Sequence, residues 1–225
     1  MNRQSLRYGI QLLGTLAILA WVPGSVAKLF LLVAWWGITF GPLHAGEWAL
    51  FLAGCVFFSL MNTVALQQGS FAFAHPDLWG MPYYEFVMWG FYLLHGYRLL
   101  DGAIPATRWG PIGAATLVFA AAHALIRDPE LLAAVTGLAF LAALIWFHEP
   151  QDLAYAGYFA VLGLVVEATG VASGQWSYPG RPLLGGIPLW FLPLWAGVGL
   201  FLRRLVLPAG RRLAPGAGPD GRGEG

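Results

Sequence analysis

Two carboxylates stand where lipid-facing sequence ordinarily holds none. Glu85 follows Pro82-Tyr83-Tyr84 at the head of one apolar run, and Glu167 lies deep in another, Leu164-Val165-Val166-Glu167-Ala168. An ionised side chain in hydrocarbon costs on the order of several kcal/mol unless a cavity or a partner receives it, so an intramembrane carboxyl marks a candidate catalytic residue. The chemistry that suits such a group is proton donation, because low dielectric favours the neutral, proton-bearing form. The alternative is structural: each acid hydrogen-bonds to a neighbouring helix and ties the bundle together.

Both regions belong to a pattern that occurs twice. A shift of 105 residues aligns Glu47, Asn62, Gly69, Phe71 and Phe73 with Asp152, Glu167, Gly174, Trp176 and Tyr178. One further residue of slip aligns Gly80-Met81-Pro82 with Gly186-Ile187-Pro188, and Trp89 with Trp195. In each copy a helix carries a polar residue, Asn62 or Glu167, about two turns before its end. It exits at a glycine into a loop with two rings spaced by two, and a Gly-x-Pro then starts the next helix, with Pro82 or Pro188 near its first position. The candidate substrate contacts are therefore Asn62, Phe71, Phe73, His75, Asp77, Tyr83, Tyr84, Trp176, Tyr178 and Trp190. Rings at a membrane interface also serve as belt anchors, which accounts for scattered tryptophans but less well for matched spacing in two loops.

The elements that must position these residues are transmembrane helices. The chain has 225 residues, of which 58% are hydrophobic and 10% charged, with a mean hydropathy of +0.65. A soluble domain of this size carries about 25% charged residues and needs a polar outer shell, so lipid is the solvent. Apolar blocks lie at 9–23, 26–42, 47–66, 82–101, 109–126, 130–147, 152–173 and 187–206, each near the roughly 20 residues that cross a bilayer. The expected fold is an all-α polytopic membrane bundle of about eight transmembrane helices, a parallel duplication of four-helix halves. It forms one domain over 1–206, with pseudo-repeats at about 26–101 and 130–206, followed by a disordered cytoplasmic tail over 207–225.

Charge placement sets sidedness. With both ends inside, Arg3, Arg7, Arg98, Arg108, Arg203, Arg204, Arg211, Arg212 and Arg222 are cytoplasmic, whereas Lys28, Arg127 and Arg181 are outer, as the positive-inside rule requires. Seven spans would move Arg3, Arg7 and Lys28 outside. The N-terminus has a second reading: Arg3 and Arg7, the apolar run 10–22 and then Ser25-Val26-Ala27 resemble a signal peptide with its cleavage site. The excess of arginine over lysine suggests a GC-rich bacterial genome, and with it the bacterial inner membrane.

Other chemistries are set aside. The 12 basic residues nearly balance the 11 acidic ones, which leaves no field to collect nucleic acid. Cys55 is the single cysteine, and no zinc-type Cys/His spacing occurs. His95, near the inner end of the fourth span, and His123, near the outer end of the fifth, cannot share a haem iron. No phosphate loop, dinucleotide fingerprint or nucleophile elbow is present.

An acidic or amide residue, six residues, Gly-x-aromatic-x-aromatic and then Gly-x-Pro resembles the lycopene cyclase domain of the small integral-membrane type. It is also similar to carotenoid hydratases related to bisanhydrobacterioruberin hydratase. In the cyclases each copy ends in Pro-Leu-Glu-Glu. Here the first copy reads Pro82-Tyr83-Tyr84-Glu85, with only the second glutamate, and the second reads Pro188-Leu189-Trp190-Phe191, with neither. The stretch Glu167-Ala-Thr-Gly170, Gly174, Tyr178, Gly186-Ile-Pro188-Leu, Pro193-Leu-Trp195 is closer to the hydratases, and the likeness covers roughly 44–100 and 149–205.

The resemblance implies cofactor-free and metal-free acid catalysis on a lipid-soluble polyene or isoprenoid in the membrane lipid. A carboxylic acid protonates a double bond, aromatic faces hold the carbocation, and hydration or cyclisation follows. Trp and Tyr faces stabilise a desolvated cation by up to about 2 kcal/mol each. The competing class is a non-enzymatic membrane protein: a lipid- or pigment-binding module, a carrier or a structural subunit.

Overall fold

The computed structural model describes residues 3–100, 102–180 and 185–213. Arg181, the 214–225 part of the tail and Asp101 lie outside the described residues. The described chain is all-helical apart from one two-stranded ribbon, and every expected apolar block is a helix. In order these are α1 (Arg3–Trp21), α2 (Ser25–Phe40), α3 (Ala45–Gln67), α4 (Glu85–Leu100), α5 (Trp109–Leu125), α6 (Pro129–Trp146), α7 (Pro150–Ala172) and α8 (Phe191–Phe201). A π-helical stretch, Leu202–Val206, continues α8 into α9 (Leu207–Leu213). Among the described residues, four helices are long and apolar enough to cross a membrane: Ala45–Gln67, Pro129–Trp146, Pro150–Ala172 and Phe191–Arg212. The apolar helices α2 and α5 are shorter.

The breaks between helices are written in local chemistry. Gly24 and Gly41 take φ of 76° and 70° on either side of α2, a region in which a side chain would be strained. Asp128 Oδ1 accepts from Leu131 N at 2.7 Å and Pro129 opens α6, the combination that N-termini favour. Capping boxes start both α3 and α7: Glu47 Oε2 accepts from His44 N, and Asp152 Oδ2 from Glu149 N, each at 3.0 Å.

Two details depart from the sequence expectation. Helices α4 and α8 begin at Glu85 and Phe191, three residues after Pro82 and Pro188. Each proline carbonyl instead accepts from the first helical N–H in a preceding turn. The helical chain also runs past 206 to Leu213, in the stretch expected to be disordered. Arg212 there lies over the Trp109 ring, 4.6 Å from its centroid, which gives the extra turns something to pack against.

Helices α4 and α8 form the interior. Every residue from Met88 to Gly96, and from Leu194 to Leu200, is buried. Glycines let the neighbours close in: a Cβ on Gly90 would stand 2.6 Å from Phe51 O on α3, and one on Gly199 would stand 2.4 Å from Tyr155 O on α7. Trp89 of α4 and Trp195 of α8 stack at 4.6 Å where the two central helices meet. On the flank, α1 and α2 are tied to α4 by polar side chains, with Gln11 bonding both Thr39 Oγ1 and His95 Nδ1.

The end of the bundle that carries Glu47 and Asp152 is clamped by ion pairs. Arg98 Nε binds Glu47 Oε1 at 2.6 Å, and Arg203 Nε binds Asp152 Oδ1 at 2.9 Å. Glu47 and Asp152 are 105 residues apart, and so are Arg98 and Arg203. Asp152 is wholly buried and also receives Arg204. The wider π turn carries both arginines, Arg203 and Arg204, and both engage this one carboxylate. The Arg204 guanidinium also holds the exposed Glu149 carboxyl below the usual glutamate range.

Candidate functional site

At the other end the two aromatic loops meet. Strand β1 (Ala72–Phe73) pairs antiparallel with β2 (Trp176–Ser177), with Ala72 opposite Ser177 and Phe73 opposite Trp176. Successive side chains on a strand point to opposite faces, so the spacing of two puts Phe71 and Phe73, and Trp176 and Tyr178, on one face of the ribbon. Ring contacts follow in matched pairs: Phe73 meets Trp176 at 5.9 Å and Phe71 meets Tyr178 at 6.0 Å. Ala72 and Ser177 are themselves 105 residues apart.

Beneath the ribbon lies a cavity of about 660 Å³, within the range of small-molecule sites. Asn62, Phe71, Phe73, Glu85, Glu167, Trp176, Tyr178 and Trp190 all line it. Trp89, Tyr92, His123 and Trp195 line it as well. The rest of the wall is mainly aliphatic and aromatic. Along α3, Phe57, Leu60 and Val64 face the cavity and are 58%, 60% and 43% exposed. Ala120 and Ala124 of α5 do the same on the facing side. These exposed lining residues mark a mouth that opens sideways between α3 and α5 through apolar side chains.

The two acids share this space and lie within electrostatic range of each other. Glu85, in the first turn of α4, accepts from Asn62 Nδ2 at 2.8 Å. Glu167, buried on α7, places one oxygen, Oε2, under two donors: the Trp176 indole at 2.7 Å and the Tyr178 hydroxyl. Gly170 makes this possible, because any Cβ there would collide with the Trp176 ring at 2.0 Å. The ribbon thus supplies the rings of the roof and the donors that orient Glu167.

Four sequence candidates fall elsewhere. The ribbon ends after Phe73, so His75 and Asp77 emerge on the exposed side of the loop, away from the cavity wall. Asp77 Oδ2 accepts from Tyr83 N at 3.1 Å and closes the turn around Leu78 and Met81. Tyr83 is 40% exposed. Tyr84 is buried but packs behind the loops, where Lys28 stands 5.2 Å from its ring centroid and donates to Gln175 Oε1. Among the cavity residues that the candidate set lacked are Trp89, Tyr92, His123 and Trp195. The alignment of Trp89 with Trp195 signalled two of them; nothing in the sequence singled out His123 or Tyr92.

No protein-family model and no curated protein matches the chain. Among solved structures, the crystal structure of a cross-linked MvINS trimer is similar, with a TM-score of 0.60 at 19% identity over 76% of this chain and 97% of that one. At that identity the likeness is one of fold.

Proposed function

We propose that the protein is a membrane enzyme that protonates a carbon–carbon double bond of a lipid-soluble polyene or isoprenoid, with hydration or cyclisation to follow. The observation that carries this reading is the presence of two carboxyls, Glu85 and Glu167, in one apolar cavity that opens sideways. In this reading Glu85 is the proton donor, because Asn62 engages one of its oxygens, Oε1. Glu167, with two donors on one oxygen, is the fixed counter-charge to the cation. Trp89, Trp176, Trp190 and Trp195 line the cavity that the cation occupies. Binding and chemistry both proceed without a water-soluble handle on the substrate.

The same reading takes α1 to α8 as eight spans with both termini cytoplasmic, built by duplication of a four-helix half. Support comes from the common 105-residue step of Glu47–Asp152, Arg98–Arg203 and Ala72–Ser177. The antiparallel pairing of Ala72 with Ser177 is consistent with an approximate twofold axis between the halves.

A second reading, a lipid- or pigment-binding protein without turnover, is favoured by the ties of Glu167 to Trp176 and Tyr178, which fasten the roof to α7. One paired experiment separates the two. Glu→Gln keeps shape and hydrogen bonding but removes the transferable proton. Glu85→Gln is expected to abolish polyene turnover while leaving the detergent melting temperature nearly unchanged. Glu167→Gln is expected to lower turnover by roughly 100-fold or more, the scale of a lost electrostatic stabiliser. Full activity in both variants ends the catalytic reading and leaves the binding protein.

A further inference from the structure

His123, on α5, lines the same cavity. Its Nδ1 lies 2.9 Å from Phe119 O. A carbonyl only accepts, so Nδ1 carries the proton, and Nε2 of the neutral ring is a bare acceptor. That Nε2 is buried, and no described protein group donates to it. Buried acceptors are paired as a rule, so this one is matched to an O–H brought into the cavity. The ring stands edge-on to Trp190 at 5.9 Å, and Trp190 meets Tyr178 at 5.9 Å, whose hydroxyl donates to Glu167. The free nitrogen and the acids therefore belong to the same chamber.

We infer that His123 Nε2 holds the water that captures the carbocation and takes its proton. The inference rests on the acid-catalysis reading and narrows its outcome to hydration. Glu85 gives its proton to one carbon of the double bond. The water oxygen bonds to the other carbon, and the surplus proton of that water passes to Nε2. The imidazolium, steadied by its Nδ1–H bond to Phe119 O, returns a proton to the Glu85 carboxylate across the cavity. Alkene and water become an alcohol, with no oxidant, reductant or cofactor.

The experiment uses the full chain in liposomes made in D2O, with lycopene, an acyclic polyene, as the probe. The wild type is expected to yield a hydrate labelled at the protonated carbon. His123→Phe keeps a flat ring but no acceptor: the cation still forms and collapses by losing a proton. The recovered hydrocarbon then gains deuterium while hydrate falls by about a hundredfold. His123→Gln, whose amide oxygen accepts an O–H, restores hydrate. A merely structural histidine moves label and hydrate together. Wild-type hydrate from His123→Phe, or loss of label and hydrate together, overturns the role of His123. Neither label nor hydrate from the wild type overturns the acid-catalysis reading itself.

Discussion

Tyr178 touches Glu167 through its hydroxyl and Phe71, Trp190 and Phe191 through its ring. Removing only the hydroxyl isolates the first of these. Tyr178→Phe leaves Glu167 with the Trp176 indole as its remaining donor, and a buried acceptor deprived of a partner costs about 1–3 kcal/mol. The variant is expected to melt earlier in detergent by that amount and to lose turnover, while the fluorescence of the cavity tryptophans stays close to wild type. Wild-type melting would show that the hydroxyl bond carries no net stability. Residue chemistry of this kind was half legible beforehand. The acids announced themselves through the cost of charge in lipid, and the rings through their spacing of two. His123 did not, because α5 is apolar nearly all round, Trp-Gly-Pro-Ile-Gly-Ala-Ala-Thr-Leu-Val-Phe, and no stripe says which face meets the interior. His75 and Asp77 misled because closeness in sequence to Phe73 stops meaning closeness in space once the strand ends.

Among the elements, the short ribbon has the most influence for its size. Two residues per strand give little stability of their own, yet the pairing joins loops more than 100 residues apart in the chain. Ala72 and Ser177 are directly opposed and point away from the cavity rings, so they can be bridged without disturbing the site. Ala72→Cys with Ser177→Cys is expected to form an intrachain disulfide on mild oxidation, visible as a mobility shift that reductant reverses. The native Cys55 lies on α3 and serves as the unpaired control. Failure to cross-link in the folded protein would separate the two loops. Their common fate was readable as a numerical offset, but the hydrogen-bonded register was not, since it depends on where each helix stops. The helix starts were misjudged for a related reason. Proline suits a first helical position, yet it is equally at home in the turn that precedes one, and Pro82 and Pro188 both take the turn.

For the whole molecule, the order of helices was the most legible property, because hydropathy reports on the solvent and the solvent here is lipid. Every apolar block became a helix. What hydropathy does not report is depth: α2 and α4 have 16 residues each, which at 1.5 Å per residue fall short of a hydrocarbon core of about 30 Å. The sidedness proposed for the bundle rests on arginine placement and has a direct test. Reporter fusions after Arg108 and at Gly225 are expected to report cytoplasm in both cases, and an external signal at either rejects eight spans with both ends inside.

The sideways mouth lies between α3 and α5, whereas α1 packs directly on α7. Among the described residues, this mouth is the doorway that the proposed substrate and product would share. A molecule using it dissolves first in the leaflet, so what governs occupancy is its number per lipid and not its number per litre. Diluting the vesicles with buffer leaves that ratio untouched, whereas diluting the bilayer with inert lipid lowers it. Under the proposed chemistry, a product leaving by the same doorway into the same leaflet competes there with the next substrate, so the composition of the surrounding lipid acts on the protein as a concentration does on a soluble one.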